Sequence, residues 1–284
     1  MRLATVRSAD GGTRAVVVDS DELAPVAGPD GGYADVGALL TAGDAGREHA
    51  AAALADGARE PLERARLARP VLAPGAIVCV GLNYRSHIRE MGRDLPEHPT
   101  LFAKLARSLV DPFADVALPR ASRQLDYEGE LAIVIGAPAR DVPSERAWEV
   151  VGGLTVLNDV TARDYQWRTR QWFAGKTFEA SSPLGPWVVT PDELPELDAQ
   201  ELRVTVNGEL RQQASLGDLL FGVEELVADI SRIVTLQPGD VIATGTPGGV
   251  GHAQEPSAYL APGDVVEVEI DGVGALRTRF VEAA

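Results

Sequence analysis

The stretch Leu125-Asp126-Tyr127-Glu128-Gly129-Glu130-Leu131-Ala132-Ile133-Val134-Ile135-Gly136 constrains this chain more than any other. From Leu131 to Ile135 it is wholly apolar and rich in branched residues, and Gly136 closes the run. That pattern predicts a strand covered on both faces. Side chains alternate along a strand, so Asp126, Glu128 and Glu130 are expected on one side at its entrance. Carboxylates crowded at the mouth of a buried strand repel one another, and desolvation adds to the cost. A cation seated on them would relieve both. An exposed strand end with solvated acids is the alternative, and the spacing by itself leaves both open.

A formal charge of −16, from 26 basic and 42 acidic residues, argues against a nucleic-acid or anionic-membrane surface. The single cysteine, Cys79, sits in the apolar run Ile77–Val80 and is read as a core residue, so no disulfide framework is expected. Met1–Arg7 shows no signal-peptide pattern, and no segment approaches the roughly 18 apolar residues of a membrane span. A cytoplasmic protein is the expectation.

Residues 1–70 are predicted to form a small N-terminal α/β domain. Leu3–Val6 and Ala15–Val18 flank an Asp10-Gly11-Gly12 turn as a hairpin, and an Ala- and Leu-rich helical stretch from Val36 to Arg69 is broken by Gly43 and Gly57. Arg69-Pro70 to Pro74-Gly75 marks the boundary with residues 71–284. Beyond it, short strands alternate with Gly, Pro and Asp turns, among them an Asn207-Gly208 hairpin. Helical segments are few: Pro143–Val151, Thr161–Gln166 and Phe221–Ile233. That spacing predicts a β-rich α+β fold of the barrel or roll type rather than repeated βαβ units.

Four groups of residues carry chemistry. Val151–Asp159 reads as a second apolar strand ending in an acid, so Asp159 joins Glu128 and Glu130 in an all-oxygen set that suits Mg²⁺, Mn²⁺ or Ca²⁺ better than zinc. His87 and Glu90, three residues apart on a helical turn, can form a carboxylate-oriented general base, or an ordinary surface pair. Lys104 ends a short strand, and Lys176 could offset surplus negative charge. The Gly-rich loop Thr244–Gly251 could offer backbone N–H groups to an anion.

Taken together, these residues resemble the fumarylacetoacetate hydrolase family. The likeness rests on Gly81-Leu82-Asn83-Tyr84 with His87 and Glu90, Phe102 with Lys104, Asp126-Tyr127-Glu128 with Glu130-Leu131, Asn158-Asp159 with Arg163-Asp164 and Gln166, Gly175-Lys176, Pro183–Pro186, Asn207-Gly208, and Pro238–Pro247. It spans about residues 75–280. The resemblance implies a mixed β-roll, a homodimer, and a Mg²⁺ or Mn²⁺ held by Glu128, Glu130 and Asp159. It implies that His87 and Glu90 lie on a segment closing over an oxo-acid substrate and activate water. Lys176 would stabilise developing charge, and Lys104, Arg163, Gln166 and Thr246 would contact or place the substrate. Leu105 stands where the family often has proline, Thr161 where it has serine and Glu179 where it has aspartate. Leu276-Arg277-Thr278 lacks a common asparagine.

The main activity implied is hydrolysis of a C–C bond in an acylpyruvate-like 2,4-dioxo acid. The alternative is decarboxylation, tautomerisation or dehydration of a related 2-oxo acid such as oxaloacetate. A non-catalytic oxo-acid binder would fit better had His87 or Glu90 been lost. Two further expectations follow. Relief of repulsion predicts that removing Glu128 or Asp159 leaves the ion-free fold no less stable, and the short His87 helix is expected to be mobile until ligand binds.

Overall fold

In the computed structural model, which describes residues 1–8, 11–90, 92 and 94–283 (the side chains of Asp30, Ala65 and Glu90 excepted), the apolar run is the strand Gly129–Ile135. Every residue of it is buried. It pairs antiparallel with Val151–Asn158 on one side and with Val241–Ala243 on the other, so its backbone polar groups are met from both edges. Ile77–Gly81 runs parallel to Val241–Ala243, and Thr100–Ala103 closes that end of the sheet. On the opposite side, Val151–Asn158 pairs with Ser182–Val189.

The pleat decides which face each residue serves. Leu131, Ile133 and Ile135 enter the core shared with Val204, Val206, Val266, Val268 and Ile270 of a second, five-stranded sheet. Leu226, Val227 and Ile230 of the amphipathic helix Val223–Ile233 complete that core. Ala132 belongs to a separate cluster with Cys79, Leu157 and Leu184 on the other face. By the same alternation, Gly129 points at the second sheet and its neighbours Glu128 and Glu130 point away from it. A Cβ at Gly129 would lie 2.4 Å from Val204 Cγ2 and 2.9 Å from Val268 Cγ1, so the two sheets meet there at the backbone.

The hairpin at Asn207-Gly208 forms as the sequence predicts, with both residues at positive φ, 54° and 81°, as a type I′ turn requires. Within Val36–Arg69 the α-helices are Val36–Thr41 and Gly43–Asp56, with a 3₁₀ turn at Arg64–Arg66, and 143–151 narrows to a 3₁₀ helix over Ser144–Glu149. Among the first 70 residues, Arg2–Arg7 pairs with Ser182–Val189 through Arg2↔Val189 and Leu3↔Val188. The hairpin Arg2–Arg7/Thr13–Asp19 therefore extends the main sheet across the boundary expected near residue 70. Asp10, expected in its turn, lies outside the described residues. Among the described residues, no helix is long and apolar enough to cross a membrane.

Candidate active site

Main-chain pairing brings the three acids together. Asp159 N–H donates to Glu128 O at 2.8 Å, and Glu128 N–H donates to Asn158 Oδ1 at 3.0 Å, so the two strand ends lie side by side. Glu130 follows two residues on, facing the same way. One carboxylate oxygen from each of Glu128, Glu130 and Asp159 lies within 4.8 Å of the others, and all three residues are buried.

Cations surround the cluster. Lys176 Nζ bridges Glu128 Oε2 at 2.6 Å and Asp159 Oδ2 at 2.7 Å. Arg163 pairs with Glu128 Oε1 at 2.6 Å, and its Nε donates to Asp126 Oδ2 at 2.8 Å. Gln166 Oε1 accepts from Arg163, and Thr246 Oγ1 donates to Gly129 O. Lys104 is placed differently from the substrate-contacting role expected for it. Its side chain is completely buried, with Nζ 2.6 Å from Asp159 Oδ1 and bonded to the carbonyl of Lys176, and it is not on the cavity wall. Lys104 is thus a positioning residue behind Asp159.

The electrostatics differ between the acids. Burial, reinforced by the charges of Asp159 and Glu128, pushes the Glu130 carboxyl well above the usual carboxylate range, and only Lys176 and the Gly245 N–H oppose it. Burial also acts against ionised Asp159, but Lys104 and Lys176 outweigh it and hold that carboxyl low. Lys176 is pushed up, because Asp159 and Glu128 overcome its desolvation. An all-oxygen, buried donor set in which burial and neighbouring acids disfavour ionised Glu130 fits a hard divalent cation, which would stabilise that charge.

The sign of the Glu130 shift gives a test. Because its folded pKa is raised, its favourable contribution is complete below the ordinary carboxylate pKa and is lost as pH rises through the folded value. Glu130→Gln should therefore raise the Tm of the chelator-treated protein at neutral pH, with the gain fading as pH is lowered. Thermal unfolding in chelator across pH reads this directly, and a loss of Tm at neutral pH would contradict it.

The cluster opens into a cavity of about 290 Å³. Glu128, Glu130, Arg163, Lys176, Gln166 and Thr246 form its polar floor, and His87 lies on its wall. The side chain of Glu90, expected to orient His87, lies outside the described residues. The His87 helix, Arg85–Glu90, is better anchored than a short helix alone would be. Ile88 and Tyr84 are fully buried, Ser86 N–H donates to Asp218 Oδ2, and the Arg85 guanidinium donates to the carbonyls of Leu219 and Leu220. A short helix alone is expected to be mobile, and these contacts tie this one to 218–220. Asn83 adds to this by bonding Phe221 and Thr244. Leu82, on the cavity wall at the turn before the helix, holds φ 57°, a conformation that costs a branched side chain energy.

Trp167 and Trp172 join Phe102 in an aromatic wall, and neither tryptophan is marked by a motif in the sequence. The wall depends on Gly81, where a Cβ would come within 2.3 Å of Trp172 Cζ3. Two further polar residues shape the site: Asp126, expected among the clustered acids, and Gln212, which no motif marks. Asp126 leaves the acid cluster and accepts from Gly251 N–H, His252 N–H and Arg163. Gln212, on a hairpin strand of the second sheet, accepts from Gly129 N–H and donates to Thr246 Oγ1 and Pro247 O. The glycine-rich loop does bind anions through its N–H groups, but they are the protein's own: Gly245 serves Glu130, and Gly251 serves Asp126.

The model of the fumarylacetoacetate hydrolase C-terminal domain matches residues 76–281. The chain belongs to the fumarylacetoacetate hydrolase family. The chain is 42% identical over 214 residues to a human mitochondrial oxaloacetate tautomerase, covering 75% of this chain and 68% of the relative. It is 41% identical over 224 residues to the oxaloacetate tautomerase of Bacillus subtilis (strain 168), covering 77% and 74%. A solved maleylpyruvate hydrolase from Sphingobium sp. SYK-6, in complex with manganese(II) and pyruvate, superimposes with a TM-score of 0.82 over all of both chains at 32% identity. The mixed, strand-rich architecture is thus the fumarylacetoacetate hydrolase fold, and the chain is an enzyme of that superfamily. Hydrolases and isomerases both use the fold.

Proposed function

We propose that this enzyme is a divalent-ion-dependent tautomerase of an oxaloacetate-like 2-oxo acid. The observation that supports this most is the 41–42% identity to oxaloacetate tautomerases over three quarters of the chain. That relationship favours the keto–enol reading over hydrolysis of an acylpyruvate. Glu128, Glu130 and Asp159 would hold Mg²⁺ or Mn²⁺, which supplies Lewis acidity toward the oxo-acid oxygens when bound.

The chain's own residues account for the proton and the charge. Tautomerisation removes a proton from C3 and delivers one to the C2 oxygen, with no bond to carbon broken other than C–H. His87, which lies on the cavity wall, is the residue we assign to the C3 proton. Lys176 keeps positive charge beside the floor where negative charge gathers on oxygen. Arg163 sits beside it to meet the adjacent carboxylate. The buried floor limits water, so these charges act at reduced dielectric.

The test follows enol-oxaloacetate by its ultraviolet absorbance with Mg²⁺ or Mn²⁺ present, alongside acetylpyruvate and fumarylpyruvate with products identified by mass. Accelerated keto–enol exchange with intact acylpyruvates is the expected result. Cleavage of an acylpyruvate without any effect on exchange would overturn the proposal in favour of a hydrolase, the reaction named for the Sphingobium neighbour.

A further inference from the structure

The same cavity has a second imidazole on its wall, His252, which takes no part in the chemistry above. Its position is fixed from two directions. Asp126, fully buried, accepts from the N–H groups of Gly251 at 2.8 Å and His252 at 2.9 Å while also holding Arg163 Nε at 2.8 Å. One carboxylate therefore ties the His252 backbone to a guanidinium of the cavity floor. On the ring, Nδ1 lies 2.8 Å from the Tyr259 hydroxyl, and the imidazole leans on Trp167 with centroids 6.2 Å apart. With Nδ1 engaged, Nε2 is the nitrogen left to meet a ligand. A phenol accepts from the Nδ1–H of an imidazolium and donates to a neutral ring, so this brace suits either charge state.

Charge balance says why the site needs that group. Asp126, Glu128, Glu130 and Asp159 are buried with Lys104, Arg163 and Lys176, which leaves one negative charge over. A divalent ion turns the balance to one positive charge, and the first carboxylate of a 2-oxo acid cancels it. A second carboxylate then arrives with no charge left to offset it, toward the cavity mouth where His252 and Trp167 are exposed. Among the described residues, the aromatic and aliphatic part of the wall (Phe102, Trp167, Trp172, Val80, Leu82, Val250) has no charge to offer. Gln166 and Thr246 are neutral, and Arg163 and Lys176 are assigned above to the first carboxylate and to the charge developing on oxygen. His87 is assigned to the C3 proton.

We infer that His252, braced by Tyr259 and pinned through Asp126, is the specificity-determining residue that receives the distal carboxylate of a dicarboxylic 2-oxo acid. This deepens the proposed function and rests on it. Nothing in the sequence marks His252, because it follows the glycine-rich loop as an isolated residue and becomes part of the site only through Asp126.

The test is calorimetric binding to the Mn²⁺-loaded protein of two ligands: pyruvate, which has one carboxylate, and 3,3-difluorooxaloacetate, which has two and no C3 proton to exchange. The wild type is expected to prefer the dicarboxylate. His252→Gln should weaken 3,3-difluorooxaloacetate by about 10- to 100-fold, the usual worth of a hydrogen bond to a charged group, while leaving pyruvate unchanged. His252→Lys, which retains positive charge, should restore part of the preference. Equal weakening of both ligands in His252→Gln would mean that His252 only supports the loop, and no change in either would mean that it does not face ligand. Either result overturns the inference. Wild-type protein that binds pyruvate with no preference for the dicarboxylate would overturn it while sparing the 2-oxo-acid reading, whereas failure to bind either ligand would overturn both.

Discussion

Replacing Asp159 by alanine is expected to destabilise the ion-free protein by about 3–5 kcal/mol, the usual cost of breaking a buried ion pair by removing one partner. It should also abolish divalent-ion binding. The reason is Lys104. Its side chain is wholly buried, Asp159 is its carboxylate partner at 2.6 Å, and its other contacts are the carbonyls of Lys176 and Val160. Without Asp159 that ammonium stays buried with carbonyls alone. Lys176 would keep Glu128 at 2.6 Å and suffers less. Relief of carboxylate repulsion, which predicts no loss for Glu128 or Asp159, is therefore expected to be outweighed at Asp159 by the stranded Lys104. It remains the right account of Glu130, whose carboxyl is raised by burial and by the neighbouring acids. Urea unfolding in chelator should show Asp159→Ala destabilised and Glu130→Gln stabilised at neutral pH. The double variant Asp159→Ala/Lys104→Met should recover part of the loss, since it removes the stranded charge as well. A loss below about 1 kcal/mol for Asp159→Ala would show that Lys104 finds water or another partner.

The contrast between these two acids marks how far residue order could be read. Glu128 and Glu130 were legible because strand alternation is a local rule, and a wholly apolar run after them fixes the face they share. Asp159 was legible as the polar end of a second apolar strand, although its pairing with Glu128 belongs to the sheet register. Asp126 obeys the same alternation and was grouped with them, yet it lies on the separate short strand Leu125–Asp126 and turns to the loop at Gly251. Alternation cannot show where a strand breaks. Lys104 and Gln212 were beyond reach for another reason. Their partners lie 55 and 83 residues away, and a buried lysine or glutamine has the same sequence signature as an exposed one. The N-terminal segment shows the same limit: its hairpin was visible, but its addition to the main sheet at Val188 and Val189 was not.

The second large effect is expected at His87. If this imidazole carries the C3 proton, His87→Ala should lower oxaloacetate tautomerisation by roughly 10²–10⁴-fold, the range for a positioned general base. The substitution should do little to the helix, because Ile88, Tyr84, Arg85 and Ser86 supply its anchorage and His87 is not among the acids that would hold the ion. Mn²⁺ and pyruvate should accordingly bind the variant as they bind wild type, which separates loss of chemistry from loss of the site. Decarboxylation of oxaloacetate provides the internal control. Its C–C bond breaks without removal of a C3 proton, so any decarboxylase activity should fall far less than tautomerisation. The comparison uses one substrate and one ion in the same buffer, with enol absorbance reporting one reaction and pyruvate release the other. Equal losses on both would mean that His87 shapes the cavity or orders the substrate, and the C3 proton would then have to leave through another group on the wall.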